Sequence, residues 1–94
     1  MQAKIWNFSG WISECDPVKL REHYNELLKE AGFTILNTLE HFFNPFGYTA
    51  LFLLCESHFA IHTFPEAGRA YIELSSCNEE FYNKAVQRLR KELI

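Results

Sequence analysis

The short connections in the second half of the chain constrain its fold more than any other sequence feature. Four strand-like segments rich in aromatic and β-branched residues follow one another there, separated only by turns. They cover residues 33–43, 48–55, 58–64 and 69–77. Alternation along the first of them predicts a shared face for Phe33, Ile35, Asn37, Leu39 and His41. Two of the links are "NPFG" and "PEAG", whose Pro and Gly are typical of turns. Parallel strands need a crossover of about a dozen residues, so these strands are predicted to pair antiparallel.

One more strand and two helices are predicted around this core. Residues 3–12 form the first predicted strand. Asp16 before Pro17 is a typical helix start, and Gly32 is a typical helix end. Apolar residues recur between them at helical spacing, namely Val18, Leu20, Tyr24, Leu27, Leu28 and Ala31. A second helix is predicted over 78–94, with an apolar stripe of Phe81, Ala85, Leu89 and Leu93.

This order of elements, β-α-β-β-β-β-α, predicts the fold class. Consecutive short-linked strands with two helices indicate an α+β fold, an antiparallel β-sheet with two helices packed on one face. The length of 94 residues and the hydrophobic content of 48% suit a single domain over 1–94.

Composition also excludes several classes of protein. A net charge of −3 argues against a nucleic-acid-binding face, because phosphate contacts need clustered Lys and Arg. No apolar run is long enough to span a membrane. The three cysteines form no CxxC pair and have no zinc-like spacing. Together with the lack of a secretory signal, this predicts reduced thiols in the cytoplasm.

The segment "CESHFAIHTFPE", residues 55–66, concentrates polar side chains within apolar surroundings. Strand alternation gives it a face with two imidazoles and an aliphatic and aromatic face. The first face holds His58, Ala60, His62 and Phe64, and the second holds Phe59, Ile61 and Thr63. A solvated outer face would explain the histidines, whereas a metal site lacks an obvious third ligand.

A nucleophile is the third interpretation of this segment. Ser57 lies near a histidine, which could activate it for nucleophilic attack. A serine hydrolase should, however, show a Gly-rich nucleophile elbow, and "CESHF" has none. From the residues alone, the role of Ser57 stays open.

The same segment resembles the signature of the prokaryotic S-adenosylmethionine decarboxylase family. "ESHFAIHTFPE" is similar to the family's Glu-Ser-His-x-x-Ile-His-Thr-aromatic-Pro-Glu motif, and "SSCN" follows where the family has Thr-Cys-Gly. "ECDPVKL" resembles the Cys-Asp-Pro segment after the family's first strand. "HFFNPFGYTALFLLCESH" resembles its His-x-Phe-x-Pro-x-Gly run. The resemblance therefore spans nearly the whole chain.

The resemblance implies that the protein makes its own cofactor. Ser57 would attack the preceding carbonyl, and the chain would break between Glu56 and Ser57 into chains of 56 and 38 residues. The new N-terminus would carry a pyruvoyl group, which serves as the electron sink. It would form a Schiff base with S-adenosylmethionine, whose decarboxylation supplies aminopropyl groups for polyamine (spermidine) synthesis. His62 would move a proton during processing, and Cys77 would reprotonate the α-carbon as a general acid.

The resemblance also implies a site for a planar ligand that carries a cation. Phe43 and Phe64 match aromatic residues that sandwich the adenine, and aromatic faces also attract a sulfonium. Glu66 matches a carboxylate that hydrogen-bonds the ribose, and Thr49 matches a hydroxyl near the processing serine. Phe43 and Phe64 could instead be residues of the hydrophobic core. Cys77 could instead be a small buried hydrophobic residue. Short members of the family are expected to act as homodimers of processed protomers.

Several positions depart from the family pattern and keep the substrate open. Phe64 replaces the usual Trp, Glu73 replaces the usual Asp, and the first strand lacks the family's early His. Asn78 follows Cys77 in place of Gly, and Asn can adopt the positive φ of Gly, which would preserve the turn. Two alternatives therefore remain. One is the same cofactor acting on arginine or ornithine, and the other is an unprocessed, non-catalytic regulatory paralogue.

Overall fold

The structure, a computed structural model, describes residues 2–94 as a five-stranded antiparallel sheet with two helices. The elements are β1 (Trp6–Ile12), α1 (Pro17–Ala31), β2 (Ile35–Phe42), β3 (Tyr48–Leu54), β4 (Ser57–Phe64), β5 (Arg69–Ser76) and α2 (Glu79–Glu92). A 3-10 turn, Pro65–Ala67, joins β4 to β5. The strands lie in the order β1-β5-β4-β3-β2, and every neighbouring pair is antiparallel.

Both helices cover the same face of the sheet, because apolar residues alternate along the strands. On β3 the helix-facing side chains are buried, whereas Leu51 and Leu53 on the other face are about half exposed. The buried residues of strands and helices form one core cluster. The predicted α+β fold with two helices on one face is therefore confirmed. Within residues 2–94, neither helix is long and apolar enough to cross a membrane.

The second face of the sheet is covered by no helix or strand within residues 2–94, and we call it the open face. Cross-strand register arranges its side chains in rows, each with one residue from every strand. The row nearest the β2–β3 loop holds Trp11, Tyr71, His62, Thr49 and His41. The middle row holds Ser9, Glu73, Ala60, Leu51 and Leu39, and the last holds Asn7, Ser75, His58, Leu53 and Asn37.

Local capping residues set the ends of α1 as predicted. The Asp16 carboxylate accepts a 2.9 Å hydrogen bond from the Lys19 backbone N–H, and Gly32 ends the helix with φ of 112°. Val18 belongs to the apolar set at helical spacing, but its side chain is 49% exposed. Val18 lies two positions before the buried Leu20, which is about 200° round the helix and so on the solvent side.

The predicted alternation of β2 is wrong at its start. The prediction placed Ile35 and Asn37 on one face, but Ile35 pairs with Leu54 and Asn37 pairs with Leu53. Leu36 is the extra residue of a β-bulge, and one extra residue reverses the alternation. Ile35 therefore faces the helices, and the predicted set is correct only from Asn37 onward.

The turn after β5 is not the Gly-like turn that the sequence suggested. Asn78 has φ of −102° rather than a positive value. Its side-chain oxygen instead accepts a 3.0 Å hydrogen bond from the Phe81 backbone N–H and caps α2. The same residue therefore ends the strand region beside Cys77 and starts the second helix.

Candidate active site

The β3–β4 hairpin places a strained residue directly before Ser57. Cys55 and Glu56 form the loop, and the Cys55 N–H donates a 3.0 Å hydrogen bond to the Thr34 carbonyl. Glu56 has φ of 63°, and among residues 2–94 it is the sole non-glycine residue with positive φ. This left-handed conformation costs an L-residue about 1 kcal/mol or more. The backbone strain at the predicted cleavage point therefore lies in Glu56.

The Cys77 thiol contacts the carbonyl oxygen of that strained residue. Its Sγ donates a 3.1 Å hydrogen bond to Glu56 O and lies 3.8 Å from the Glu56 carboxylate. This carbonyl belongs to the peptide bond between Glu56 and Ser57. A donor at this position can stabilise negative charge on the oxygen when the carbonyl carbon is attacked. The structure thus brings the predicted Glu56, Ser57 and Cys77 together.

The Ser57 hydroxyl is oriented by a residue that sequence reasoning missed. Ser57 is 8% exposed, and its hydroxyl donates a 2.7 Å hydrogen bond to Ser76 Oγ. Ser76 in turn accepts a 2.9 Å hydrogen bond from the Asn78 backbone N–H. In the sequence, only its position directly before Cys77 could have drawn attention to Ser76. The β4–β5 register is what places Ser76 opposite Ser57.

We call Glu56, Ser57, Ser76 and Cys77 the processing cluster. These residues line one groove of about 560 Å³. Apolar side chains of Ile5, Leu36 and Leu53 form much of its remaining wall. His58 also lines this groove, which gives a location but no role to a histidine that the sequence left unexplained.

The predicted ligand-binding residues line a second cavity, of about 460 Å³, which we call the ligand pocket. Its lining includes Phe43, Thr49, His62, Phe64 and Glu66. The two predicted stacking rings are not core residues, because Phe43 is 52% exposed and Phe64 is 42% exposed. Core packing as an explanation of these two phenylalanines is therefore excluded.

Within the ligand pocket, His62 is held by its cross-strand partner. Thr49 Oγ1 and His62 Nδ1 lie 3.0 Å apart. When Nδ1 donates to the hydroxyl, Nε2 keeps its lone pair and can accept a proton.

Sequence reasoning missed His41, whose ring packs edge-on against Phe43 with 4.4 Å between the ring centroids. Its position two residues before Phe43 could have indicated this contact, because alternate residues of an extended segment lie on the same side.

The processing cluster and the ligand pocket lie at opposite ends of β4. Ser57 begins the strand and His62 stands five residues further along. At a rise of about 3.3 Å per residue, about 16 Å separates their Cα atoms. The structure therefore does not bring His62 to Ser57 within one chain, although it groups the other predicted residues into two compact sets.

The remaining cysteine near the ligand pocket is poorly suited to nucleophilic chemistry. Burial raises the pKa of the Cys15 thiol, and the carboxylates of Glu14 and Glu66 raise it further. The thiol is therefore protonated at neutral pH, which is the unreactive form. Cys15, Cys55 and Cys77 are all free of disulfides.

The fold is that of a known class of decarboxylase. The crystal structure of the adenosylmethionine decarboxylase from Aquifex aeolicus matches with a TM-score of 0.76, covering 99% of this chain and 82% of that one. At 24% sequence identity, this match bears on the fold alone.

Sequence comparisons give the family. The sequence model described as S-adenosylmethionine decarboxylase matches residues 6–94. The S-adenosylmethionine decarboxylase proenzyme of Synechococcus sp. (strain WH7803) is 42% identical, with 87% of this chain and 70% of the relative aligned. The proenzyme of the same name from Thermotoga petrophila is 36% identical, with 85% and 67% aligned. The chain therefore belongs to the S-adenosylmethionine decarboxylase family, as its motifs predicted.

Proposed function

We propose that this protein is a self-processing, pyruvoyl-dependent decarboxylase of S-adenosylmethionine that supplies aminopropyl groups for polyamine synthesis. Family membership supports the reaction and the substrate. The observation that carries self-processing is the 3.1 Å contact of the Cys77 thiol with the Glu56 carbonyl, beside the buried Ser57 hydroxyl. Three free cysteines fit a reducing compartment, and we place the protein in the cytoplasm.

Processing would begin with attack of the Ser57 hydroxyl on the Glu56 carbonyl carbon. The new C–O bond replaces the peptide C–N bond, and the hydroxyl proton ends on the released amine, so that an ester links the two residues. The Cys77 thiol would stabilise the developing oxyanion, and release of the strain at Glu56 would favour the step. Ser76 would hold the attacking oxygen before reaction.

Elimination then breaks the ester and cuts the chain. Residue 57 loses its α-proton, the Cβ–O bond breaks, and Glu56 leaves as a new C-terminal carboxylate. The remaining enamine takes up one water and loses one ammonia, which yields the pyruvoyl group. This step needs a base at the α-proton, and His62 is the proposed one because its Nε2 can hold a lone pair.

The residues around Ser57 fit the group that would form there. Ser76 Oγ lies 2.7 Å from Ser57 Oγ and would lie beside the new group, whereas the Glu56 carbonyl that Cys77 contacts would become part of the released carboxylate and leave the thiol free beside residue 57. When formed, the pyruvoyl group supplies the electron sink for loss of carbon dioxide. Cys77 would donate the proton to the α-carbon of the product.

The ligand pocket has the chemistry to bind the adenosyl part of the substrate. Phe43 and Phe64 present exposed aromatic faces to a planar base and to a sulfonium. Glu66 places a carboxylate in the same cavity, where it would accept hydrogen bonds from the ribose hydroxyls. Thr49 would fix the His62 ring between the two parts of the site.

The distance between the two sets of residues supports a homodimer with shared sites. A single chain keeps Ser57 and His62 about 16 Å apart. The open face exposes Leu39, Leu51 and Leu53, which a second copy would cover. Packing two open faces about a two-fold axis perpendicular to β4 reverses the partner strand. The end of β4 that carries the processing cluster in one protomer would then lie beside the ligand pocket and His62 of the partner subunit.

Intact-mass measurement of the purified protein tests self-processing directly. We expect two chains, one ending at Glu56 and one beginning with a pyruvoyl group at residue 57. The Ser57→Ala variant should remain one chain of 94 residues. An uncut wild-type chain would favour the regulatory paralogue instead.

Release of labelled carbon dioxide tests the substrate. Cleaved protein should release it from carboxyl-labelled S-adenosylmethionine and not from labelled arginine or ornithine. Release only from arginine or ornithine would assign the second enzyme function.

Complementation tests the shared site. Co-expression of Ser57→Ala with His62→Ala should restore about a quarter of wild-type activity, because random pairing gives half heterodimers with one intact site each. His58→Ala is the matched control for His62→Ala, because both histidines lie on the same face of β4. Restoration below a few per cent would contradict shared sites.

A further inference from the structure

An aromatic cluster that the proposed mechanism does not use extends across the open face beside the ligand pocket. The Trp11 ring lies 5.8 Å from the Phe64 ring and 5.4 Å from the Tyr71 ring, centroid to centroid. The Arg69 guanidinium lies over the Trp11 ring at 4.4 Å. Tyr71 continues the cluster to His62, with 6.5 Å between the ring centroids. Trp11 thus contacts one ligand-pocket residue directly and reaches a second through Tyr71.

Trp11 is not needed to fill the hydrophobic core. On β1, Phe8 and Ile12 face the helices and are buried, whereas Trp11 projects from the open face and is half-buried. The Trp11 ring contacts Arg69 and Tyr71 of β5 and Phe64 of β4, all on the same face of the sheet.

The contact with Trp11 restricts the orientation of the Phe64 ring. Phe64 ends β4, it is 42% exposed, and the chain turns immediately afterwards at Pro65. A ring in this position has little support along its own strand, and free rotation would lower its value for stacking on a planar base. Trp11 packs on it with the ring planes tilted by 58°, and the Arg69 guanidinium lies over the Trp11 ring.

We infer that Trp11 is a positioning residue that holds the Phe64 ring in the orientation for stacking on the adenine of the substrate. The inference rests on the proposed function for the identity of the base, but the contact between the two rings does not. Trp11 acts through Phe64 and not on the reacting atoms. Its loss should therefore weaken binding while leaving self-cleavage and the chemical step intact.

Steady-state kinetics of three variants test this role. Trp11→Leu should raise KM for S-adenosylmethionine about fivefold with kcat within about twofold of wild type, the size expected for one aromatic pair. Trp11→Phe keeps a ring against Phe64 and should restore most of the loss. Trp6→Leu is the matched control, since Trp6 is also a half-buried tryptophan of β1 but packs near Tyr82, away from Phe64. An unchanged KM in Trp11→Leu, or an equal rise in Trp6→Leu, would overturn the inference.

Fluorescence separates failure of this inference from failure of the proposed function. In a Trp6→Phe variant Trp11 is the sole tryptophan, since the chain has two. Titration with methylthioadenosine should change its emission saturably, and Phe64→Leu should abolish the change. If wild-type protein releases no carbon dioxide yet the Trp11 emission changes on titration, the proposed decarboxylation is refuted and the positioning role of Trp11 stands. If carbon dioxide is released but Trp11 emission does not respond, the positioning role is refuted.

Discussion

The Cys77 thiol and the Glu56 carbonyl belong to residues 21 positions apart, yet they form one hydrogen bond of 3.1 Å. That bond lies on the peptide group that the family reaction would break, and the residue that supplies the carbonyl has φ of 63°. At the scale of single residues, the candidate chemistry therefore depends on two features. One is a donor aimed at a carbonyl, and the other is a strained backbone that its surroundings hold in place.

Replacing Cys77 should slow self-cleavage as well as block decarboxylation. Cys77→Ala removes the donor to the Glu56 carbonyl and should slow cleavage about tenfold. Loss of a strong oxyanion donor would slow it more, because a thiol is a weak donor. Cys77→Ser keeps a donor and should cleave faster than Cys77→Ala. A time course of intact mass after cell-free synthesis measures the rates. Cys55→Ala, another exposed cysteine, is the control, and wild-type cleavage by Cys77→Ala would refute the polarising role.

Two tyrosines should make the fold sensitive to alkaline pH. Burial and hydrogen bonds of 2.7 Å to Glu92 and Glu40 raise the pKa values of Tyr24 and Tyr48 well above the ordinary range. In the unfolded chain both ionise near pH 10, so their contribution to stability is complete below that pH and is lost as pH rises above it.

Urea unfolding of the uncleavable Ser57→Ala variant at about pH 8 and about pH 11 measures this effect. The free energy of unfolding should fall between the two conditions. Adding Tyr24→Phe should reduce the fall, whereas adding Tyr71→Phe on the open face should not. An equal fall with and without Tyr24 would contradict the assignment.

At the scale of elements, the β3–β4 hairpin combines regular strand pairing with one residue in an unfavourable backbone conformation. Tyr48–Leu54 and Ser57–Phe64 pair in regular register, but the loop requires a left-handed residue and has Glu56 there. Glycine would adopt this φ without the steric penalty. A residue that the loop disfavours, placed at a bond that should break, is consistent with strain that assists cleavage.

Glu56→Gly should therefore stabilise the fold and slow processing. On the uncleavable Ser57→Ala background, the free energy of unfolding should rise by about 0.5–1 kcal/mol in urea melts. In the chain that retains Ser57, cleavage should become slower because less strain is released. Glu73→Gly is the matched control, since glycine inside a regular strand should lower stability. A loss of stability in Glu56→Gly would show that the conformation is not strained.

At the scale of the whole molecule, the open face is the surface through which we propose that two copies of the chain pack. It carries exposed leucines in its middle and last rows, and its row nearest the β2–β3 loop holds Thr49 and His62 of the ligand pocket. A monomer would leave this apolar surface in water and its site residues about 16 Å apart. Assembly through this face would resolve both problems at once.

A charge on the open face should break the proposed homodimer. Leu51→Glu places a carboxylate in the middle row and should convert the protein to monomers with little decarboxylase activity, because burying an unpaired charge is costly. Light scattering coupled to size exclusion measures the molar mass. Val18→Glu is the control, since Val18 is similarly exposed but lies on α1 behind the sheet. A dimeric Leu51→Glu protein would place the interface elsewhere.

Sequence reasoning succeeded where neighbouring residues decide the outcome. Asp16 and Gly32 set the ends of α1 through contacts within a few residues, and alternation along β4 put His62 and Phe64 on one face. The short links between strands likewise sufficed for the antiparallel sheet. The specific spacing of the motif around Ser57 gave the family, which the sequence comparisons confirmed.

Sequence reasoning failed where pairing between distant segments decides the outcome. The bulge at Leu36 exists only relative to β3, and Ser76 meets Ser57 only through the β4–β5 register. By itself the sequence determined the elements, the fold class and the residue types available for chemistry, because propensity, capping and alternation are local. Only the tertiary structure decided which of those residues meet, because hydrogen bonds such as that from Cys77 to Glu56 depend on contacts across the sheet.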